Sequence, residues 1–145
     1  MRVQHALEIE ASIERLWELT VAVEDWPTFT PTVSSVTRLD DGPLQVGSRA
    51  RLKQPGQPAR VWTVTELEPQ RCFAWSTRLL GSTVTGIHEL SAAGSHTKNS
   101  LIVEVTGWTS GLVGTLLRNS IAKAIAKENE GFKTAAESPR DRGDA

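Results

Sequence analysis

The clearest pattern in the chain is a long amphipathic run at Gly111–Ala136. On a helical wheel the apolar side chains of this run share one face, and most polar side chains occupy the rest. The apolar face consists of Val113, Leu117, Ile121, Ala124, Ile125, Phe132 and Ala135. The pattern predicts one helix of roughly 39 Å, at 1.5 Å per residue, which is long enough to cross a small domain.

The preceding part of the chain shows mainly the two-residue alternation of half-buried strands. Ser12 is a typical helix N-cap, and two short helical segments are indicated between it and Pro27. Short turns rich in Gly, Pro and Asp separate the later strands, which is typical of an antiparallel meander. The predicted strands are Arg2–Glu10, Val33–Leu39, Ser48–Lys53, Ala59–Leu67, Arg71–Leu80, Ser82–Leu90 and Ser100–Trp108, with a polar turn at Ser91–Lys98.

A long amphipathic helix that follows a succession of strands must bury its apolar face on their sheet. We therefore predict an α+β fold, with an antiparallel sheet of about six or seven strands packed on the C-terminal helix. We expect residues 1–137 to form one domain and 138–145 to form a disordered tail, because the latter offer almost no apolar side chain to bury. The helix face is broad from Leu112 to Leu117 and narrows beyond Ile125. This predicts a closed core under the broad part and any ligand entrance under the narrow part.

Composition limits the function classes. The chain has 145 residues, an apolar fraction of 39% and a net charge of −1, and its 16 basic residues are scattered, which argues against nucleic-acid binding. It shows no signal peptide and no apolar run of the roughly 18 residues that span a membrane, so we expect a cytoplasmic protein. A single cysteine and the lack of metal-ligand spacing predict no disulfide, no metal and no cofactor. Both a monomer and a homodimer are compatible with the strand pattern.

Several longer strings are similar to those of a known family. They are IEASIERLWELTVAVEDWPTFTPTVSSV, GPLQVGSRARLKQPG, WTVTELEPQRCFAW, GIHEL and LVGTLLRNSIAKAIAKENEGFK, which together extend over residues 2–136. In these strings the chain resembles the bacterial polyketide cyclase/dehydrase-type branch of the START/Bet v 1-like (SRPBCC) superfamily. The resemblance implies a helix-grip fold, in which a strongly curved sheet wraps around the long helix and a mostly apolar cavity lies between them.

Strand alternation predicts which side chains face such a cavity. Aromatic side chains on these faces would give its wall a defined shape, although a sealed core of the same residues is the alternative. The resemblance also places the segment after the first helices near the mouth of the pocket. We expect ligand contacts from Trp26, Phe29, Trp62, Val64, Phe73, Trp75, Thr77, Val84, His88, Leu101, Val103, Leu117 and Ile121.

Two titratable residues fall on apolar faces. His88 is the one candidate for catalysis or for orienting a ligand, and the alternative is a structural histidine paired with Thr77 or a backbone carbonyl. Glu128 lies within the apolar arc of the helix. It either reaches the pocket or extends to solvent at the edge of the sheet, and the second is favoured because an isolated buried carboxylate is costly.

The leading interpretation is a binding protein for a hydrophobic, aromatic or polyketide-like small molecule. Resemblance to polyketide cyclases implies a cyclase/dehydratase-like enzyme as an alternative, and the sequence leaves enzyme status open because it contains no nucleophile elbow, P-loop or dinucleotide motif. A further alternative is a lipid or quinone carrier or a protein-interaction module. That alternative predicts an exposed apolar rim around Phe29, Leu112, Val113 and Leu116.

Overall fold

The computed structural model describes residues 1–139, in which seven strands, two α-helices and one 3-10 helix follow the predicted order. The helices are α1 (Ile13–Val21), the 3-10 helix Val23–Thr28 and α2 (Ser110–Glu137). The strands are β1 (Arg2–Ile9), β2 (Ser35–Arg38), β3 (Arg49–Lys53), β4 (Arg60–Glu68), β5 (Cys72–Leu79), β6 (Ser82–Ala93) and β7 (His96–Thr106). The predicted α+β helix-grip architecture is confirmed.

The strands form one antiparallel sheet in the order β1-β7-β6-β5-β4-β3-β2. The predicted turn at Ser91–Lys98 is wrong, because β6 and β7 stay paired up to Ala93 opposite His96. Gly94, with φ of +66°, supplies the left-handed conformation that such a two-residue hairpin turn requires. Ser91 and Lys98 lie on exposed strand positions and Thr97 is buried, a pattern that local composition does not distinguish from a loop.

Both ends of the long helix are fixed to the sheet. Gly114 packs against Met1 at the start of β1, and the carboxylate of Glu137 accepts a hydrogen bond from the backbone N–H of Glu10, 2.8 Å away, just past the end of β1. The helix stops at Ser138, whose hydroxyl donates to the carbonyl of Thr134. Of the predicted tail at 138–145, residues 140–145 lie outside the described part of the chain.

The antiparallel order gathers the connections at two opposite ends of the sheet. The loops 54–59, 80–81 and 107–109 lie at one end together with the start of α2, and we call this the loop end. The end of α2 lies at the other, the helix end, where its last residues meet Glu10 and Arg15 beyond β1. Ser12 caps α1 there, as predicted, by accepting a hydrogen bond from the backbone N–H of Arg15.

The closed core lies at the helix end. The prediction that it lies under the broad part of the helix face, near the start of α2, is wrong. Trp26, from the 3-10 helix, is buried against Phe73 and Phe132, with ring centroids 6.1 and 5.8 Å away. Leu112 and Leu116, at the broad part of the predicted apolar face, point into solvent instead. The width of the helix face was misleading, because the 3-10 helix supplies the packing partners and it lies under the last turns of α2.

Asn129 anchors the middle of α2 by hydrogen bonds that the helical wheel did not predict. The side chain is fully buried, although its position on the wheel lies among the polar residues. Its amide oxygen accepts from Asn99 Nδ2 at 2.8 Å, and its own nitrogen donates to the carbonyl oxygens of Asn99 and His5 at 3.1 and 3.2 Å. This network joins α2 to β1 and β7 and fixes the helix along the sheet.

Gly131 is required for the contact between α2 and the segment after the 3-10 helix. A Cβ at this position would overlap the carbonyl oxygen of Phe29 and stand 3.1 Å from the Cβ of Thr30. Gly131→Ala is therefore expected to lower the free energy of unfolding by about 1–3 kcal/mol, the usual cost of overpacking. Urea unfolding followed by tryptophan fluorescence measures the change.

Gly111→Ala is the matched control, because a Cβ at Gly111 meets no atom and alanine favours a helix. We expect this variant to be at least as stable as the wild type. A Gly131→Ala protein that is equally stable would contradict the close approach.

Candidate ligand-binding cavity

A cavity of about 190 Å³ lies between the sheet and α2. This is somewhat larger than the roughly 150 Å³ cavities that accept benzene, so it has room for a molecule of one or two rings. Gln57 and Ser120 are exposed and also line it, so it reaches the surface between the loop 54–59 and α2. The apolar part of its wall includes Trp26, Val33, Leu52, Trp62, Trp75, Leu79, Val84, Leu101, Val103, Val113, Leu117, Ile121, Ala124 and Ile125.

Most of the predicted ligand contacts lie on this wall. They are Trp26, Trp62, Trp75, Thr77, Val84, His88, Leu101, Val103, Leu117 and Ile121. Val64 and Phe73 have the predicted orientation but lie in the closed core, and Phe29 packs on Phe132 beside an outer groove. Alternation gives the face of a strand that a residue occupies, and it does not give the level along the strand at which a cavity ends.

An aromatic layer separates the cavity from the closed core. Trp26 lies at its centre, with ring centroids 5.3 Å from Trp75 and 5.1 Å from His88, and its indole N–H donates to the carbonyl of Leu19 at 3.1 Å. Trp62 extends the layer towards the loop end, 5.8 Å from Trp75. The cavity therefore has a floor and one side built of flat rings, which suit a flat ligand.

His88 is buried in this layer as a neutral imidazole. Its Nδ1 has no hydrogen-bond partner among the described residues, and the pairing with Thr77 does not form, because that hydroxyl donates to the carbonyl of Val61 at 2.8 Å. Burial lowers the pKa of His88 to about 3. An imidazole with such a pKa is a weak base at neutral pH, so the geometry favours a packing or hydrogen-bonding role over proton abstraction.

Glu128 points into the cavity and does not extend to the edge of the sheet. It lies one helical turn before Phe132, on the face of α2 that meets the aromatic layer, and the described residues offer it no hydrogen bond or ion pair. Burial raises its pKa from 4.5 to about 7. The sequence placed Glu128 within the apolar arc of α2. The cost of burying a carboxylate led to the expectation that its side chain extends to solvent, which is wrong.

A second polar group of the wall also lacks a partner. The indole N–H of Trp62 is buried, and no acceptor among the described residues lies within hydrogen-bond distance. Strand alternation predicted the position of this ring, but the state of its N–H depends on neighbours from other strands.

Exposed apolar side chains surround the loop end of the cavity. Leu80, Leu112 and Leu116 are 72%, 65% and 67% exposed, and each is next in sequence to a residue of the cavity wall. Trp108, 88% exposed, has its indole beside Gly81. Of the predicted rim, Leu112 and Leu116 are exposed here, whereas Val113 is buried in the wall.

Residues 1–139 contain neither a candidate metal site nor a membrane-spanning helix. No group of three or more His, Cys, Asp or Glu side chains in this range is placed to hold a metal ion. No helix in the same range is long and apolar enough to cross a bilayer.

The sequence profile of one family, described as polyketide cyclase/dehydrase and lipid transport, matches residues 1–137. No curated protein matches the chain by sequence.

Solved structures share the fold at low sequence identity. Ara h 8.0201 is 10% identical with a TM-score of 0.76, over 96% of this chain and 99% of that one. The major latex-like protein 151 of Panax ginseng is 10% identical with a TM-score of 0.73, over 95% and 98%. StfQ, a di-domain ARO/CYC from the steffimycin biosynthetic pathway, is 13% identical with a TM-score of 0.74. The match covers 94% of this chain and 50% of StfQ.

Proposed function

The chain belongs to the polyketide cyclase/dehydrase and lipid transport family, and from this premise we propose that it binds a hydrophobic small molecule in the cavity between the sheet and α2. The proposed ligand is aromatic or polyketide-like, and one or two fused rings match the volume.

The observation that carries the proposal is a cavity of about 190 Å³ that opens to the surface beside Gln57 and Ser120. Its wall is mainly apolar, with a small number of polar groups, which is the usual composition of a small-molecule site. An apolar ligand is stabilised there by the removal of its surface from water, at about 25 cal/mol per Å². The rings of Trp26, Trp62 and Trp75 add flat contact surfaces.

The properties of His88 favour ligand binding over a catalytic role for this residue. A neutral imidazole of low pKa, without a carboxylate partner among the described residues, is poorly suited to remove a proton at neutral pH. The wall supplies shape and hydrogen bonds, and these are what recognition requires.

Naphthalene is the probe that tests this function. Because three tryptophans line the cavity, we expect saturable quenching of tryptophan fluorescence with a stoichiometry of one. Native mass spectrometry of the protein purified from its own host then examines whether a ligand of similar size is retained. Absence of saturable binding for benzene, naphthalene and their methyl derivatives alike would contradict the proposal.

A further inference from the structure

Two unpartnered polar groups on opposite walls of the cavity have complementary hydrogen-bonding requirements. An ionised Glu128 on α2 only accepts hydrogen bonds, and the indole nitrogen of Trp62 on β4 only donates one. The indole N–H is buried with no acceptor among the described residues, and the half-buried carboxylate has no hydrogen bond or ion pair with them. A ligand that fills the cavity must meet both requirements or leave these groups without partners.

Leaving such groups unpaired is costly, at about 1–3 kcal/mol for a buried polar group and more for a charge. Elsewhere in the fold comparable groups are paired: the buried hydroxyls of Thr20 and Thr97 donate to the carbonyls of Leu16 and Ala11, both at 2.8 Å. Of the four buried polar atoms without a partner among the described residues, two belong to the cavity wall, in Trp62 and His88. Half of these unsatisfied atoms therefore lie where a ligand would bind, and the other two, Arg38 Nε and Asn99 Oδ1, lie outside the cavity wall.

Resting on the binding function proposed above, we propose that the ligand is a flat, mainly apolar molecule with a phenol or enol hydroxyl that donates to Glu128 and a carbonyl-type oxygen that accepts from Trp62. A hydroxyl fits Glu128 because a hydrogen bond to a carboxylate is charge-assisted and shorter than a neutral one. The pair of groups distinguishes a hydroxylated aromatic ketone from a plain hydrocarbon.

A cationic ligand is the less favourable partner for Glu128. An ammonium group would have to be removed from water together with the carboxylate, and that cost often exceeds the attraction between them. The described wall contains one other charged side chain, Arg60, at the start of β4, and it forms no ion pair with Glu128. With mostly apolar surroundings, a neutral donor is the better match.

The experiment for Glu128 compares 2-naphthol with 2-methoxynaphthalene, which has the same rings and oxygen but no donor. Fluorescence titrations at pH 8 give the ratio of the two Kd values in the wild type and in Glu128→Gln. We expect the wild type to prefer 2-naphthol by about 10-fold or more, the usual value of a hydrogen bond to a charged group. Glu128→Gln should reduce that preference to within about 3-fold. A general change in cavity affinity cancels in the ratio.

The experiment for Trp62 uses Trp62→Phe, which removes the N–H and keeps a flat ring. The ratio of the Kd values of 2-acetylnaphthalene and 2-isopropylnaphthalene is expected to shift about 3- to 10-fold against the ketone, as for a neutral hydrogen bond. An unchanged ratio overturns this half of the inference, and an unchanged 2-naphthol preference in Glu128→Gln overturns the other half.

Failure of the inference can be told apart from failure of the function. If the wild type binds naphthalene but does not distinguish 2-naphthol from its methyl ether, the cavity is a binding site and the proposed ligand chemistry is wrong. If an ammonium probe, 2-naphthylmethylamine, binds more tightly than 2-naphthol, the site selects a cation and the inference is likewise wrong. If naphthalene does not bind, both proposals fail.

Discussion

Replacement of Ala124 by tryptophan is expected to weaken naphthalene binding at least 100-fold. Ala124 lies on the face of α2 that lines the cavity, between Ile121 and Ile125. An indole at this position would occupy much of the 190 Å³ that the ligand needs. Because the new ring is itself apolar, it would bury its surface in the cavity and leave the fold intact. A 100-fold loss corresponds to about 2.7 kcal/mol of binding free energy.

Lys123→Trp is the matched control for this variant. It introduces the same side chain one residue earlier on the same helix, where the position is exposed and does not line the cavity. We expect its naphthalene affinity to equal that of the wild type. Urea unfolding shows whether both variants remain folded. If a folded Ala124→Trp protein binds naphthalene with unchanged affinity, the ligand site lies elsewhere.

Glu128→Gln is expected to make the protein more stable at pH 8, by up to about 3 kcal/mol, and to change its stability little near pH 4.5. The pKa of Glu128 is raised from 4.5 to about 7 by burial. The folded state therefore holds this proton more tightly than the unfolded state does. Between pH 4.5 and 7 the folded state binds more protons, so the free energy of unfolding decreases as pH rises. A shift of this size corresponds to about 3 kcal/mol.

The contribution of His88 to the free energy of unfolding changes with pH in the opposite direction. The variants must therefore be compared at the same pH. The pKa of His88 is lowered to about 3, and this residue destabilises the protein as pH falls below 6.5. This contribution is common to the wild type and Glu128→Gln and cancels in their difference. Arg60, the other charged residue of the described wall, is likewise common to both proteins.

Glu130→Gln is the control for the loss of one negative charge from α2. Glu130 is exposed, so this variant should stay within about 0.5 kcal/mol of the wild type at either pH. Urea unfolding at pH 4.5 and pH 8 measures all three proteins. If Glu128→Gln differs from the wild type by the same amount at both pH values, Glu128 is not the buried, easily protonated group inferred from its surroundings.

The order of elements and the family were predictable because both depend on local sequence patterns. The period of two in the strands and of 3.6 in α2 specifies which side chains share a face, and Ser12 marks a helix start by its own hydrogen bond. The family strings predicted the match that covers residues 1–137. Ten of the thirteen predicted contact residues line the cavity, and the seven of these that lie on strands have the predicted parity.

The tertiary structure alone decided at which end of the sheet the cavity lies. Phe73 and Trp75 share a face of β5, yet one is in the closed core and the other borders the cavity, because Trp26 from the 3-10 helix packs between these levels. Gly131 is needed for the same reason, since the segment that follows Trp26 crosses α2 at that point. These contacts join residues far apart in the chain, which a local period does not report.

The sequence by itself determined that a long helix covers an antiparallel sheet and which strand faces it covers. It did not determine the direction of a polar side chain at the margin of the apolar face. Asn129 is buried because Asn99 and His5 satisfy it, whereas Glu128 faces the cavity without a partner. Whether a polar group is paired depends on atoms that only the folded chain brings within hydrogen-bond distance, and this distinction separates a structural residue from a candidate for ligand recognition.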